Sequence, residues 1–223
     1  MSPNLSQVTL TFDNGPTAET TPQVLDILRR RGVPATFFVL GRQLADPALR
    51  DLTVRAHAEG HRVGNHSYTH SIPFGELADH ADAIGEIDRT QALIGELAGA
   101  ELLFRPFGGG GHLDRRLLNA AAVAHLEARG YTLALWNSVP RDWEDPTGWP
   151  ARALEDCAST PWPVVVLHDL PTNAMQQLDG FLAALADRGF QFSQEFPPAA
   201  TPLIHGRRAG NLQNLTIDPL PAE

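Results

Sequence analysis

Short apolar, β-prone runs alternate along this chain with segments whose apolar residues recur at helical spacing. The strand-like runs fall at 8–12, 35–40, 61–64, 102–104, 131–136, 164–167 and 190–192. After the first of them, Thr21 and Pro22 read as an N-cap and first-turn pair. Val24, Leu25, Ile27 and Leu28 then supply a helical stripe that Gly32 ends. Further helices are predicted from Asp46-Pro47 to Gly60, over 77–97, from Asp114 to Gly130, over 150–158 and over 173–188. Four junctions repeat one arrangement, helix then glycine then strand, at Gly32, Gly60, Gly130 and Gly189. This alternation predicts a parallel sheet, either open or closed into a barrel. No linker-like stretch interrupts it before Pro197. Residues 1–196 are therefore expected to form one domain, with 197–223, rich in Pro, Asn and Gly, lying as a tail on its surface.

In parallel α/β folds, sites form at the carboxyl ends of the strands. Asp13 and Asn14 follow the first strand, His66 the third, Arg105 the fourth, 136–142 the fifth and His168 the sixth. Five separate segments thus bring polar groups to one face. His66 and His70 are four apart, and a helical turn would place both rings on one side, close enough to share an ion. Alone, that spacing is a weak signal and fits ordinary surface or core histidines better. Asp13, within Phe-Asp-Asn-Gly-Pro, also reads as plain turn chemistry. His168 is harder to explain that way, because it closes an all-apolar run inside the sheet.

Composition narrows the picture further. The chain has 223 residues, 43% of them hydrophobic, so a substantial core is within reach. A net charge of −9 argues against a nucleic-acid partner. All 17 basic residues are arginine, a matter of genome composition rather than function. Cys157 is the single cysteine, which excludes an internal disulfide and reads as a buried thiol rather than a nucleophile. The chain opens without a basic and apolar leader, and no apolar run approaches the roughly 18 residues of a membrane span. The expectation is a soluble, cytoplasmic protein; its oligomeric state is not encoded in any visible motif.

The ordered words TFDNGP, GNHSYTH, FRPFG, WNSVPRDW and LHD resemble those of the polysaccharide deacetylase family, also called the NodB-homology or carbohydrate esterase 4 family. The resemblance runs from about residue 7 to 192. It implies a distorted (β/α) barrel of about seven parallel strands and a divalent metal, commonly zinc. It also implies removal of an acetyl or similar acyl group from an N-acylated amino sugar or related amide, as a small molecule or oligosaccharide. By position, Asp13 matches the general base, His168 the general acid and Arg105 the arginine that positions the base. His66 and His70 match metal ligands. Leu167 and Trp143 match pocket walls, Phe107 and Gly108 lie in the loop expected to meet substrate, and His112 is a further candidate contact.

Three departures accompany the match. Asn14 replaces the family's metal-binding aspartate, giving a neutral amide oxygen where a carboxylate would bind more tightly. Val139 stands where the family has an aspartate, which would leave His168 without an orienting carboxylate unless Asp142 or Asp169 substitutes. Finally, the loop after Arg105 is rebuilt as a glycine run ending at His112. Three readings stay open: a metal-dependent amide hydrolase, a metal-independent relative of the allantoinase-like branch, and a non-catalytic binding protein. Retention of Asp13, His66, His70, Arg105 and His168 favours the first.

Overall fold

The computed structural model describes residues 6–221 and carries all seven strands that the alternation predicts. In chain order the elements are β1 (Gln7–Asp13), α1 (Thr21–Arg31), β2 (Thr36–Val39), α2 (Gly41–Leu44), α3 (Pro47–Ala58) and β3 (Arg62–Asn65). There follow α4 (Asp82–Ile94), β4 (Leu103–Phe104), α5 (Ala120–Ala128), β5 (Thr132–Leu133) and α6 (Trp149–Ser159). The chain finishes with β6 (Val164–His168), α7 (Leu178–Asp187), β7 (Gln191–Ser193), β8 (Leu203–Ile204) and β9 (Arg207–Arg208).

Strands β6, β1, β2, β3, β4 and β5 lie side by side in that order, all parallel. The ring closes where the chain beyond β5 returns to β6, through a parallel bridge between Ser138 and Val165. The result is the distorted (β/α) barrel expected, with β7 filling in beside the first residues of β1. All four helix–glycine–strand junctions hold their glycine at positive φ, from 62° at Gly32 to 89° at Gly60.

Residue alternation in β1 divides the interior. Val8, Leu10 and Phe12 face the helical layer, packing with Leu25, Leu28, Trp149, Leu167 and Phe181. Thr9, Thr11 and Asp13 face the other way and are equally buried. Polar side chains therefore line part of the barrel's inside, and the candidate site grows from them. Cys157 sits in the first apolar cluster, where burial pushes its thiol up to about 12, as a packing residue requires.

Helix starts differ from expectation for local reasons. Thr20, not Thr21, occupies the cap of α1, and the Thr21 hydroxyl donates instead to Asp169. Helix α5 begins after Asn119, whose side chain accepts from the Ala122 amide, while Asp114 folds back onto the Arg116 amide. Helix α4 starts at Asp82 rather than near Leu77.

The tail is no surface strap. Its β8 pairs antiparallel with β5, and Ala200, Leu203, Leu212 and Leu215 are buried in a second apolar cluster with Phe104, Leu118 and Leu133. Proline and asparagine there shape turns between buried anchors. Leu203→Ala is accordingly expected to cost about 2–5 kcal/mol of unfolding free energy, the range for a buried leucine truncation. Urea unfolding measures it, and a loss under about 0.5 kcal/mol would restore the surface-strap reading.

Candidate active site

The floor of the site is a charged pair taken out of water. Arg105, fully buried at the end of β4, donates through Nη1 to Asp13 Oδ1 at 2.9 Å and to Thr11 Oγ1 at 2.6 Å. Its Nε and Nη2 donate to the carbonyls of Ala134 and Leu135, at 3.1 and 3.2 Å. The guanidinium lies 4.0 Å over the Phe38 ring. Burial lowers the guanidinium's pKa, and the charge and hydrogen bond of Asp13 oppose that shift. With Oδ1 engaged, Asp13 keeps Oδ2 turned toward His66, whose Nε2 lies 3.6 Å away.

His66 is neutral. Its Nδ1 is 2.7 Å from the Arg105 carbonyl, which can only accept, so Nδ1 carries the proton and Nε2 a lone pair. Burial, with Arg105 and His168 adding to it, brings the ring's pKa down to about 3. His70 is brought to about 2 by burial and by the neighbouring His66. The two rings stand 4.8 Å apart, and His70 packs 3.9 Å from Phe107.

The turn joining these histidines is not helical, contrary to the simplest reading of their spacing. Ser67 and His70 both have positive φ, 68° and 53°. Asn14 (73°) and Arg141 (57°) adopt the same unfavourable region in two other loops of the site. Loop 14–16 also packs tightly on Asp169: a Cβ on Gly15 would fall 2.2 Å from that carboxylate. Burial pushes the Asp169 carboxyl up to about 6.

His168 has the opposite character. Asp142 Oδ1 accepts from its Nδ1 at 2.8 Å, and Asp142 Oδ2 accepts from its backbone amide at 2.9 Å. Burial disfavours the imidazolium, yet the hydrogen bond and charge of Asp142, backed by Asp13 and Asp169, raise its pKa above the ordinary 6.5. Of the two aspartates named as substitutes for the carboxylate missing at Val139, it is Asp142, three residues on, that reaches the ring. The cue was present in the sequence as an aspartate beside Trp143, whose ring meets His168 edge-on at 4.8 Å.

These groups share a pocket of about 260 Å³. Asp13, Asn14, His66, His70 and His168 occupy one part; Phe107, Gly108, Trp143, Trp136 and Val139 wall the rest. Trp136 and Val139 were not predicted as walls. Both touch the glycine loop: the Trp136 indole donates to the Gly111 carbonyl at 3.0 Å, and a Cβ on Gly108 would come 2.4 Å from its ring. A Cβ on Gly111 would come 2.8 Å from Val139 Cγ1. Side chains are excluded there because the loop lies flat on these two residues.

Two expected contacts are elsewhere. Leu167 points into the helix-packed core, since strand alternation turns Val166 and His168 to the pocket instead, joined by Leu170. His112 borders a smaller depression outside the pocket, beside Pro73 and Asp114.

The profile of the family described as polysaccharide deacetylase matches residues 2–129, more than half of the chain. The chain belongs to the polysaccharide deacetylase family. A chitooligosaccharide deacetylase of Rhizobium leguminosarum bv. phaseoli is 39% identical over 178 residues, covering 75% of this chain and 70% of that protein. The peptidoglycan-N-acetylmuramic acid deacetylase PdaC of Bacillus subtilis is 29% identical over 195 residues, 86% of this chain but only 38% of PdaC's length. Among solved structures, a family 4 carbohydrate esterase from Streptomyces lividans, in complex with acetate, superposes with TM-score 0.72 at 28% identity, covering 88% of this chain and 96% of that one. The relatives named deacetylases are hydrolases that act on amide C–N bonds.

Family membership implies a metal, and the pocket can be tested for one. Among the described residues, no group of three or more His, Cys, Asp or Glu side chains is arranged to hold an ion. The pocket offers instead two neutral imidazoles and Asn14 Oδ1, a buried oxygen without a hydrogen-bond partner. Asp13 Oδ2 and His66 Nε2 face each other as acceptor against acceptor, an arrangement that a cation would relieve. Two nitrogens and a neutral oxygen fit a borderline divalent ion such as zinc.

The His168–Asp142 pair sets a pH dependence. A raised imidazole pKa contributes stability fully below 6.5, the unfolded value, and loses it as pH rises through the folded value. In Asp142→Asn, burial acts with far less opposition, so His168 is expected to titrate below 6.5. An NMR titration of its Cε1 proton checks this; a midpoint still above 6.5 would mean that Asp13 and Asp169 hold the charge.

Proposed function

We propose that this chain is a metal-dependent deacetylase that hydrolyses the acetamido group of an N-acetylated amino sugar within an oligosaccharide. The observation that carries the reading is a carboxylate on Asp13 and an imidazole on His168 held by Asp142, brought to one pocket from paired positions at the ends of β1 and β6. His66, His70 and Asn14 would hold the cation. When bound, a divalent ion there supplies Lewis acidity toward the amide carbonyl and makes a nearby water more acidic.

The remaining chemistry belongs to side chains. Asp13 Oδ2, left free while Arg105 holds Oδ1, takes the proton from the attacking water as its oxygen bonds to the carbonyl carbon. His168, protonated and oriented by Asp142, gives its Nε2 proton to the amine nitrogen as the C–N bond breaks. Acetate and a free amine leave, and Asp13 passes its proton to solvent. The walls of Trp136, Trp143 and Phe107 offer flat apolar faces of the kind that pack against a sugar ring and limit water around the reacting amide. Relatives named for chitooligosaccharide and peptidoglycan deacetylation support this substrate class.

Acetate release from N-acetylated chitooligosaccharides, by zinc-loaded protein, tests the reading. His168→Ala is expected to lower kcat by about 10²–10⁴-fold, and Asp13→Ala by a similar factor. Release by Asp13→Ala at the wild-type rate would overturn the assignment. Zinc retention near one ion per chain, lost in His66→Ala, is expected of the metal site; turnover indifferent to a chelator would overturn the metal's part.

A further inference from the structure

The His66–His70 turn has no hydrogen bonds of its own to keep its shape. It is held from outside. The Asn65 side chain accepts from Ser67 N at 3.0 Å, the amides of Gly41 and Arg42 in α2 donate to the carbonyls of Ser67 and Tyr68 at 3.0 and 3.1 Å, and one carboxylate takes the next two amides. Glu86 on α4 accepts through Oε2 from both Tyr68 N, at 2.9 Å, and Thr69 N, at 2.7 Å. Its Oε1 accepts from the Thr69 hydroxyl at 3.0 Å. Three donors between the two histidines therefore converge on a single side chain that touches neither ring.

We propose that Glu86 is the positioning residue of the histidine pair: it imposes the left-handed turn that brings His70 back beside His66. The argument rests on the metal-site reading above for its functional meaning. Ser67 and His70 sit at positive φ, a conformation that persists only where the surroundings over-determine it. Within those surroundings, Glu86 is the acceptor for the two amides at the middle of the turn. The same helix adds Arg89, stacked 3.6 Å over the Tyr68 ring, and Thr90, which packs against Gly41 together with Tyr68. The turn is thus cast against α4, and α4 reports on it through a charge-assisted grip of the kind that fixes metal-ligand orientation.

Two substitutions separate position from bulk stability. Glu86→Leu removes all three acceptors. Glu86→Gln keeps one carbonyl oxygen for the two amides and offers its NH₂ to the Thr69 hydroxyl, which can accept. Zinc affinity, measured by competition with a chromophoric chelator, is expected to weaken about 10–100-fold in Glu86→Leu and to return to within about threefold of wild type in Glu86→Gln. In zinc-free protein, the His70 imidazole proton shifts, set by the Phe107 ring 3.9 Å away, are expected to move in Glu86→Leu and to be retained in Glu86→Gln. A purely structural role would lower the Tm of Glu86→Leu while leaving both readouts in place, and that result would overturn the proposal. Equal weakening by both variants would also overturn it, because charge and not geometry would then be responsible. If wild-type protein binds no zinc, the metal reading fails by itself, and the His70 shifts alone decide the role of Glu86.

Discussion

Everything at the catalytic face is referenced to a guanidinium that water cannot reach. A buried arginine is tolerable only when its donors are used and its charge is matched, and breaking such a pair costs about 3–5 kcal/mol in proteins generally. Arg105 meets the condition by engaging β1 through Thr11 and Asp13, and the chain beyond β4 through the carbonyls of Ala134 and Leu135. The same contacts that neutralise it also fix which oxygen of Asp13 is free. Its own carbonyl fixes the tautomer of His66. One residue thus couples the closure of the barrel to the protonation pattern of the pocket.

That pattern shows how far environment outweighs residue type. Three histidines share one cavity, yet two are driven neutral and the third has its pKa raised toward the charged form. Burial acts on all three in the same direction. The difference is a carboxylate hydrogen-bonded to the imidazole of His168 alone, whereas His66 leans on a carbonyl and His70 faces another imidazole. Pushing like groups apart in this way is how a single site comes to hold both a lone-pair donor and a proton donor.

Local pattern made the barrel legible, because strand alternation and helix–glycine–strand junctions are short-range signals. Asp13, His66, His70, Arg105 and His168 could be placed for the same reason: each closes or follows a strand. What was misjudged depended on partners distant in sequence. Composition hid the tail, because Leu203 and Leu215 lie scattered among turn residues that look like linker. Leu167 and Val166 exchange roles by the one-residue alternation of a strand whose register no local feature sets. The His66–His70 spacing suggested a helical turn because the partners that bend it otherwise, Gly41 and Glu86, lie on helices before and after it. Between Asp142 and Asp169 the sequence could not choose, since only the folded loop shows which side chain reaches His168.

The pairing of β1 with β6 and β7, and the burial of Leu215 beneath α5, have a consequence for how the chain is made. Strand β1 has one partner, β2, close by in the chain, but its other two, residues 164–168 and 191–193, come more than 150 residues later. The second apolar cluster waits longer still, for Leu212 and Leu215. Until then β5 presents one unpaired edge and Asp13 has no closed pocket, so strand and apolar surface stay exposed until these distant segments are made. The segment that looks most dispensable by composition is the one that completes the fold.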